Sequence, residues 1–351
     1  MNTTEKLDAF WEDFRRTILP LRPSQYDITS SCNLTCEGCL FFSGSDSDGV
    51  RDEQRPGTVD AFFAEEARRG VRYGYFGGAE PSLAEAKLRA AAAHIPYGVV
   101  FTNGIKRLSA DIPYRVHVSV WGAPERSRAL RGADILDKQI RNYRGDPRAV
   151  FVFTISAANL ADIAPIARRL AAAGLPLTFN HYSPTRRYLA FLAGDAETDR
   201  YHSSRAAEDD LRLTPLVLAR VEKEIGRLME EPGSTILYSN DFNKRIHDSA
   251  GLYVDRDPEN GVARDCGVLL SESLRHYNTD LNRSNSKCCS PNVDCAECRL
   301  YAQSFATFLS RGTRQRRDAA EWAQTVRLWR LWAALFLNHD RFRCVSADLL
   351  N

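Results

Sequence analysis

Apolar residues first recur at helical spacing. Leu7, Phe10, Trp11 and Phe14 mark one side of an amphipathic helix over residues 5–18, which stops before Pro20 and Pro23. From Gln25 the pattern changes. Short apolar runs at Tyr26–Thr29, Tyr73–Phe76, Gly98–Thr102, Arg115–Val120, Val150–Ile155 and Leu177–Tyr182 read as strands. Between them, Ala-, Arg- and Glu-rich stretches such as Val59–Arg69, Ser82–Ala93 and Leu160–Ala173 read as helices, with Pro, Gly and Asn at the joins. Six strands alternating with helices predict an α/β fold, a parallel sheet with helices outside it. Right-handed crossovers curl that sheet into a partial, TIM-like (β/α)6 barrel, whose chemistry gathers at the strand C-terminal ends.

The alternation fades after residue 185. Arg186–Asp210 is polar, a helix is expected over Thr214–Glu231, and Gly-, Asn- and Asp-rich loops follow. A last helix from Asp318 to Leu337 carries Trp322, Val326, Trp329 and Leu335 at helical spacing and should pack on the barrel. The expected organisation is therefore an N-terminal helix in 1–22, a barrel in 23–215, and a smaller α+β unit in 216–351.

Composition narrows the function. Lys and Arg number 47 against 45 Asp and Glu, so a net charge of +2 offers no polyanion-binding surface, and nucleic acid is not an expected partner. The longest apolar stretch, Leu331–Leu337, falls far short of the roughly 20 residues that cross a bilayer. With an acidic N-terminus that lacks a basic-then-apolar signal, the expected compartment is the cytoplasm, without a membrane partner. Nine cysteines in a reducing compartment then need a reason other than disulfides.

Three of them stand together after the first strand, as Cys32-Asn-Leu-Thr-Cys36-Glu-Gly-Cys39. Thiolates select zinc, copper(I) or iron–sulfur clusters. Between Cys39 and His94 there is no further Cys or His, which leaves a local zinc site one ligand short. A cubane cluster on three cysteines instead leaves one iron open to a small molecule. This loop resembles the C-x3-C-x2-C signature of the radical S-adenosylmethionine enzymes. The resemblance implies a [4Fe–4S] cluster on Cys32, Cys36 and Cys39, with S-adenosylmethionine chelated at the open iron. Where the family usually has an aromatic before the third cysteine, this chain has Gly38; Leu40, Phe41 or Phe42 is expected to meet the adenine instead.

Later motifs extend the resemblance. Gly77-Gly78-Ala79-Glu80-Pro81 follows the second strand and is similar to the family's G-G-E-P motif, which holds the cofactor's methionine amino group. Thr102-Asn103-Gly104 follows the third strand. Ser119 on the fourth strand and Arg131 twelve residues later look like the family's S-x-D-G…R-G pair, with Trp121 in place of the Asp. The serine is expected at the ribose, and the arginine, suited to bidentate carboxylate recognition, at the methionine carboxylate. Thr154 and Asn180 are expected either to line the barrel mouth or to cap following helices; His117 and His181 read as core or mouth residues rather than ligands.

Cys266, the Cys288-Cys289 pair, Cys295 and Cys298 form a second group, with Arg275–Leu281 as part of a hairpin returning to the pair. Spacing alone suits zinc. The layout also resembles the SPASM extension, or its shorter twitch form, which carries auxiliary clusters. That resemblance implies one auxiliary [4Fe–4S] cluster on Cys266, one of the pair (Cys288 expected rather than Cys289), Cys295 and Cys298, and makes this unit an iron–sulfur domain. Cys289 and Cys344 remain as spare thiols, either inert or hydrogen-atom donors to a substrate radical.

The resemblance implies that an electron from a donor such as flavodoxin or ferredoxin cleaves S-adenosylmethionine to methionine and a 5′-deoxyadenosyl radical. The radical takes hydrogen from an unactivated carbon, giving oxidation or epimerisation. About 22 residues precede the barrel, too few for the peptide-recognition domain many peptide-modifying relatives carry. A small polar substrate of the sugar or aminocyclitol type is therefore the expectation, a ribosomally made peptide the alternative. A non-catalytic metal or redox scaffold is the third possibility.

Overall fold

The computed structural model describes residues 3–18, 20–43, 50–195, 197, 201, 210–268, 274–284, 293–314 and 318–340; Cys288, Cys289 and Cys344 fall outside them. The six expected strands form as β1 Arg22–Asp27, β2 Val71–Gly77, β3 Tyr97–Thr102, β4 Arg115–Val120, β5 Ala149–Ile155 and β6 Leu177–His181, joined by a short β7, His276–Tyr277. All neighbours are parallel, in the order β6-β5-β4-β3-β2-β1-β7. The central strands are apolar runs because helices cover one face and the lumen the other; every residue of β5, AVFVFTI, is buried.

Eleven helices are described: α1 Thr3–Ile18, α2 Pro56–Arg68, α3 Glu85–His94, α4 Pro124–Arg131, α5 Leu136–Tyr143, α6 Ile163–Ala172, α7 Arg186–Leu192, α8 Pro215–Met229, α9 Asn240–Ile246, α10 Tyr301–Arg314 and α11 Ala319–Phe336. Proline at the first turn of α2, α4 and α8 starts each of them where its missing N–H costs nothing. Among the described residues no helix is long and apolar enough to cross a membrane.

The expected hairpin is present, with Asn278 N donating to Asn282 O (3.0 Å) and Ser284 N to His276 O (2.8 Å). Its first arm does more than was expected: it joins the barrel sheet as β7, with Gln25 opposite His276 and Tyr26 opposite Tyr277. The outer edge of β6 is bridged by residues 235–237, with Leu177 N donating to Thr235 O (3.1 Å) and Leu237 N to Leu177 O (2.7 Å), and the first backbone N–H of α10, at Tyr301, donates to Asn180 Oδ1 (3.1 Å).

Helix α11 packs on the barrel as its spacing predicts, and its C-terminal end seals the lumen floor. Leu335 O accepts from His117 Nε2 (2.8 Å) and Arg115 Nε (3.3 Å), and Phe336 O from Tyr73 Oη (2.9 Å). These carbonyls belong to the last turn, which has no intrahelical donors for them. A carbonyl only accepts, so His117 Nε2 carries the proton and Nδ1 accepts from Tyr301 Oη (2.5 Å). Burial pushes the His117 pKa down to about 3 and keeps the ring neutral. With α11 closing the N-terminal end, the lumen opens toward the strand C-terminal ends.

Candidate active site

The loop after β1 carries Cys32, Cys36 and Cys39, all three partly exposed. Backbone bonds pin it to the C-terminal end of α4: Thr35 N donates to Arg131 O (3.3 Å) and Glu37 N to Leu130 O (2.8 Å). Asp52 fixes its start by accepting from Thr29 Oγ1 (2.5 Å) and Ser30 N (2.9 Å). Burial, and then the neighbouring Cys36 thiolate, push the Cys39 thiol up to about 12. The Cys32 thiol is raised chiefly by burial, with Cys36 adding to it. Three crowded thiols resist shedding protons together unless positive charge joins them, which suits a metal centre. Among the described residues no three Cys, His, Asp or Glu converge as a single metal ion requires. An iron–sulfur cluster is the larger guest, and a trio of thiolates is its chemistry.

The motifs of the next three strands gather at the same end. Gly78 adopts φ +105°, and a Cβ there would lie 2.9 Å from Ile28 N and 3.0 Å from Thr29 O, so only glycine lets the two chain segments meet. Glu80 is buried and tied down. Its Oε1 accepts from Ser82 N (3.0 Å) and Thr102 Oγ1 (2.6 Å), and its Oε2 from Asn103 N (2.7 Å). A carboxylate has about four acceptor positions, so one remains for a ligand. Asn103 Nδ2 reaches back to Asn33 Oδ1 in the cysteine loop (2.7 Å). Pro81 opens the short 3-10 turn Pro81–Leu83 and is the one cofactor candidate that does not face the cavity.

Arg131 closes this side. It donates from Nη1 to Ser119 O (2.6 Å) and from Nε to Cys36 Sγ (3.4 Å), and its guanidinium lies 6.0 Å from the Trp121 ring centre. Nη2 has no partner among the described residues. Gln139 of α5, which the sequence reading passed over, bridges the ends of β3 and β4 through Asn103 O (2.7 Å) and Ser119 O (2.8 Å). It stands on an ordinary amphipathic helix, and nothing in its pattern marks it.

These residues line one cavity of about 440 Å³, together with Phe41, Gly77, Ala79, Thr154 and Asn180. Leu40 and Phe42 line it as well, and Phe42 stacks on Tyr201 at 4.2 Å. Two further lining residues went unnoticed in the sequence. His276 Nε2 donates to Asp27 Oδ2 (3.0 Å), and among the described residues neither its buried Nδ1 nor the Tyr182 hydroxyl has a partner. His181 pairs with His247 (Nε2–Nε2 2.9 Å), so it and His117 are hydrogen-bonded residues of the core.

None of the described cysteines is in a disulfide. Cys266 and Cys298 are buried, Cys295 partly so, and none of the three lines the cavity. Cys266 and Cys298 both act on the Tyr253 hydroxyl, which burial first of all holds far above its usual pKa. Gly267 N donates to Thr307 Oγ1 (2.9 Å), docking the Cys266 segment on α10. The remaining expected ligand, Cys288, lies outside the described residues.

No protein-family model matches the chain, and no curated protein matches its sequence. Solved structures do. SuiB of Streptococcus suis bound to S-adenosylmethionine superposes with a TM-score of 0.50 at 11% identity, over 76% of this chain and 60% of SuiB. SuiB bound to its precursor peptide SuiA gives 0.51 at 11% identity, over 82% and 63%. Native anSMEcpe with bound AdoMet gives 0.50 at 14% identity, over 81% and 80%. What these structures share with this chain is the fold, a partial (β/α) barrel on a parallel sheet. Within that fold the chain spans about 60% of SuiB's length. The barrel that the strand alternation predicts is the one observed.

Proposed function

We propose that this chain is a radical S-adenosylmethionine enzyme acting on a peptide. One observation carries the reading: Cys32, Cys36 and Cys39 share a cavity with Gly78, Glu80, Asn103, Ser119 and Arg131 at the strand C-terminal ends, in a fold whose solved examples include S-adenosylmethionine complexes. A [4Fe–4S] cluster on the three thiolates, with S-adenosylmethionine at its open iron, supplies reductive cleavage to methionine and a 5′-deoxyadenosyl radical. The chain's own share is placement. Arg131 Nη2 takes the methionine carboxylate, the last acceptor position of Glu80 takes the ammonium, and Ser119 contacts the ribose. The floor made by His117, Tyr301 and α11 keeps solvent from the radical's side of the lumen.

The substrate reading moves from the small polar molecule to the peptide. SuiB in complex with its precursor peptide shares the fold, and the lumen walls include Tyr75, Phe101, Val152, Leu274 and Leu300. On this reading residues 23–215 hold the cofactor, and 216–351 add the floor helix α11, the strand β7 and the second group of cysteines. Cys266, Cys295 and Cys298 join Cys288 around one auxiliary cluster, and a flavodoxin or ferredoxin supplies the electron. The test is anaerobic reconstitution with iron and sulfide counts, followed by a 5′-deoxyadenosine assay under strong reductant. Cys32→Ala is expected to abolish the nucleoside product, whereas Cys344→Ala leaves it intact. Product formation surviving the Cys32 change would remove the assignment.

A further inference from the structure

Tyr182 follows β6 directly, and its ring packs edge-on against Trp121 (6.3 Å) and Tyr188 (5.3 Å). Its side chain is 4% exposed, and its hydroxyl has no hydrogen-bond partner among the described residues. That hydroxyl lies against Gly38, between Cys36 and Cys39. A Cβ built on Gly38 would collide with Tyr182 Oη and come within 2.9 Å of Cζ. Gly38 also sits at φ +59°, so a side chain there is excluded twice over. The departure from an aromatic at this position thus has a physical cause: an aromatic from across the barrel occupies the space.

A buried hydroxyl left without an acceptor is costly, and native proteins seldom keep one unless a ligand completes it. A phenol carries its proton near neutral pH and so can donate. The acceptor must come from whatever fills the cysteine cradle, and electron-rich sulfur is what that cradle holds. We propose that Tyr182 Oη donates a hydrogen bond to a sulfur of the cluster held by Cys32, Cys36 and Cys39, raising its reduction potential. The inference rests on the cluster reading above. A donor stabilises the more negative, reduced cluster over the oxidised one, which fixes the sign.

The test is an EPR-monitored redox titration without S-adenosylmethionine, following the signal that is absent from Cys32→Ala. Tyr182→Phe is expected to retain the wild-type iron and sulfide content. Its ratio of reduced to oxidised cluster at the wild-type midpoint should fall about tenfold, a shift of roughly 59 mV for a one-electron couple. Gly38→Ala, which displaces the hydroxyl while keeping the tyrosine, should move the potential in the same direction. An unchanged potential in Tyr182→Phe would overturn the inference, as would loss of the iron, which marks a structural role. A change confined to S-adenosylmethionine affinity would place the contact on the cofactor and equally overturn it. Wild-type protein that binds no three-cysteine cluster would instead bring down the underlying reading, and this inference with it.

Discussion

Glu80→Gln isolates the joint that holds the site together. The wild-type carboxylate is 1% exposed and takes three hydrogen bonds, from Ser82 N, Thr102 Oγ1 and Asn103 N. An amide in its place offers one acceptor atom and one donor. If the amide oxygen stays with Ser82 and Thr102, the new NH2 faces the Asn103 N–H, and that buried donor is orphaned. The reverse rotamer orphans Ser82 N, because Thr102 Oγ1 also accepts from Gly104 N (3.0 Å). Either way one charge-assisted bond is lost and one buried N–H is left unpaired. Relief of the buried charge offsets part of the loss, leaving a cost of about 2 kcal/mol, roughly thirtyfold in the unfolding equilibrium. Urea unfolding followed by circular dichroism measures it. Glu80→Ala, which strands all three donors, should cost more. A Glu80→Gln loss below about 0.5 kcal/mol would refute the view that this carboxylate ties β2 to β3.

Further outcomes follow from the same geometry. Gly78→Ala forces a Cβ onto Ile28 N and Thr29 O at a left-handed φ; since backbone cannot yield, the loss should be about 3 kcal/mol by the same unfolding assay. Arg131→Lys removes the guanidinium fork and should weaken S-adenosylmethionine binding to reconstituted protein about tenfold by calorimetry. His117 is held neutral in the fold, with a pKa near 3 against an ordinary 6.5, so its contribution is complete above pH 6.5 and lost as pH falls toward 3. His117→Gln should flatten the stability profile between pH 6 and 4.5 by about 1.4 kcal/mol per pH unit, and parallel profiles for the two proteins would contradict it.

The barrel was legible because its strands are locally explicit. Arg115–Val120 alternates valine with polar residues and Val150–Ile155 is an apolar, β-branched run, and each pattern marks a strand. The cysteine loop was legible because its spacing is its chemistry. What escaped was pairing across long separations. Tyr301 reaches His117 over 184 residues and His276 reaches Asp27 over 249, and no periodicity encodes either contact. Two-residue β7 is too short to show alternation. Helix α10 does carry Tyr301, Phe305, Phe308 and Leu309 at helical spacing. That stretch is not among the helices expected from the sequence, although its spacing is helical. Gly38 was legible only as a departure from the family pattern; its cause is a tyrosine 144 positions away in the chain.

The division of satisfied and unsatisfied polar groups around the lumen bears on what enters it. At the floor, Tyr73, Arg115, His117 and Tyr301 bond to one another, to α11 carbonyls and, through Arg115 Nη1, to Pro147 O (2.8 Å). Toward the mouth, the Tyr182 hydroxyl and His276 Nδ1 have no partner among the described residues, and His276 donates from Nε2 to Asp27 Oδ2. Between these levels stand Tyr75, Phe101 and Val152. Gln25, Thr154, Asn180 and Gln303 line the same cavity, so the apolar band occupies only part of the wall. The peptide proposed above would set an apolar side chain against Tyr75, Phe101 and Val152 and keep its backbone amides nearer the mouth, where the Tyr182 hydroxyl and His276 lie.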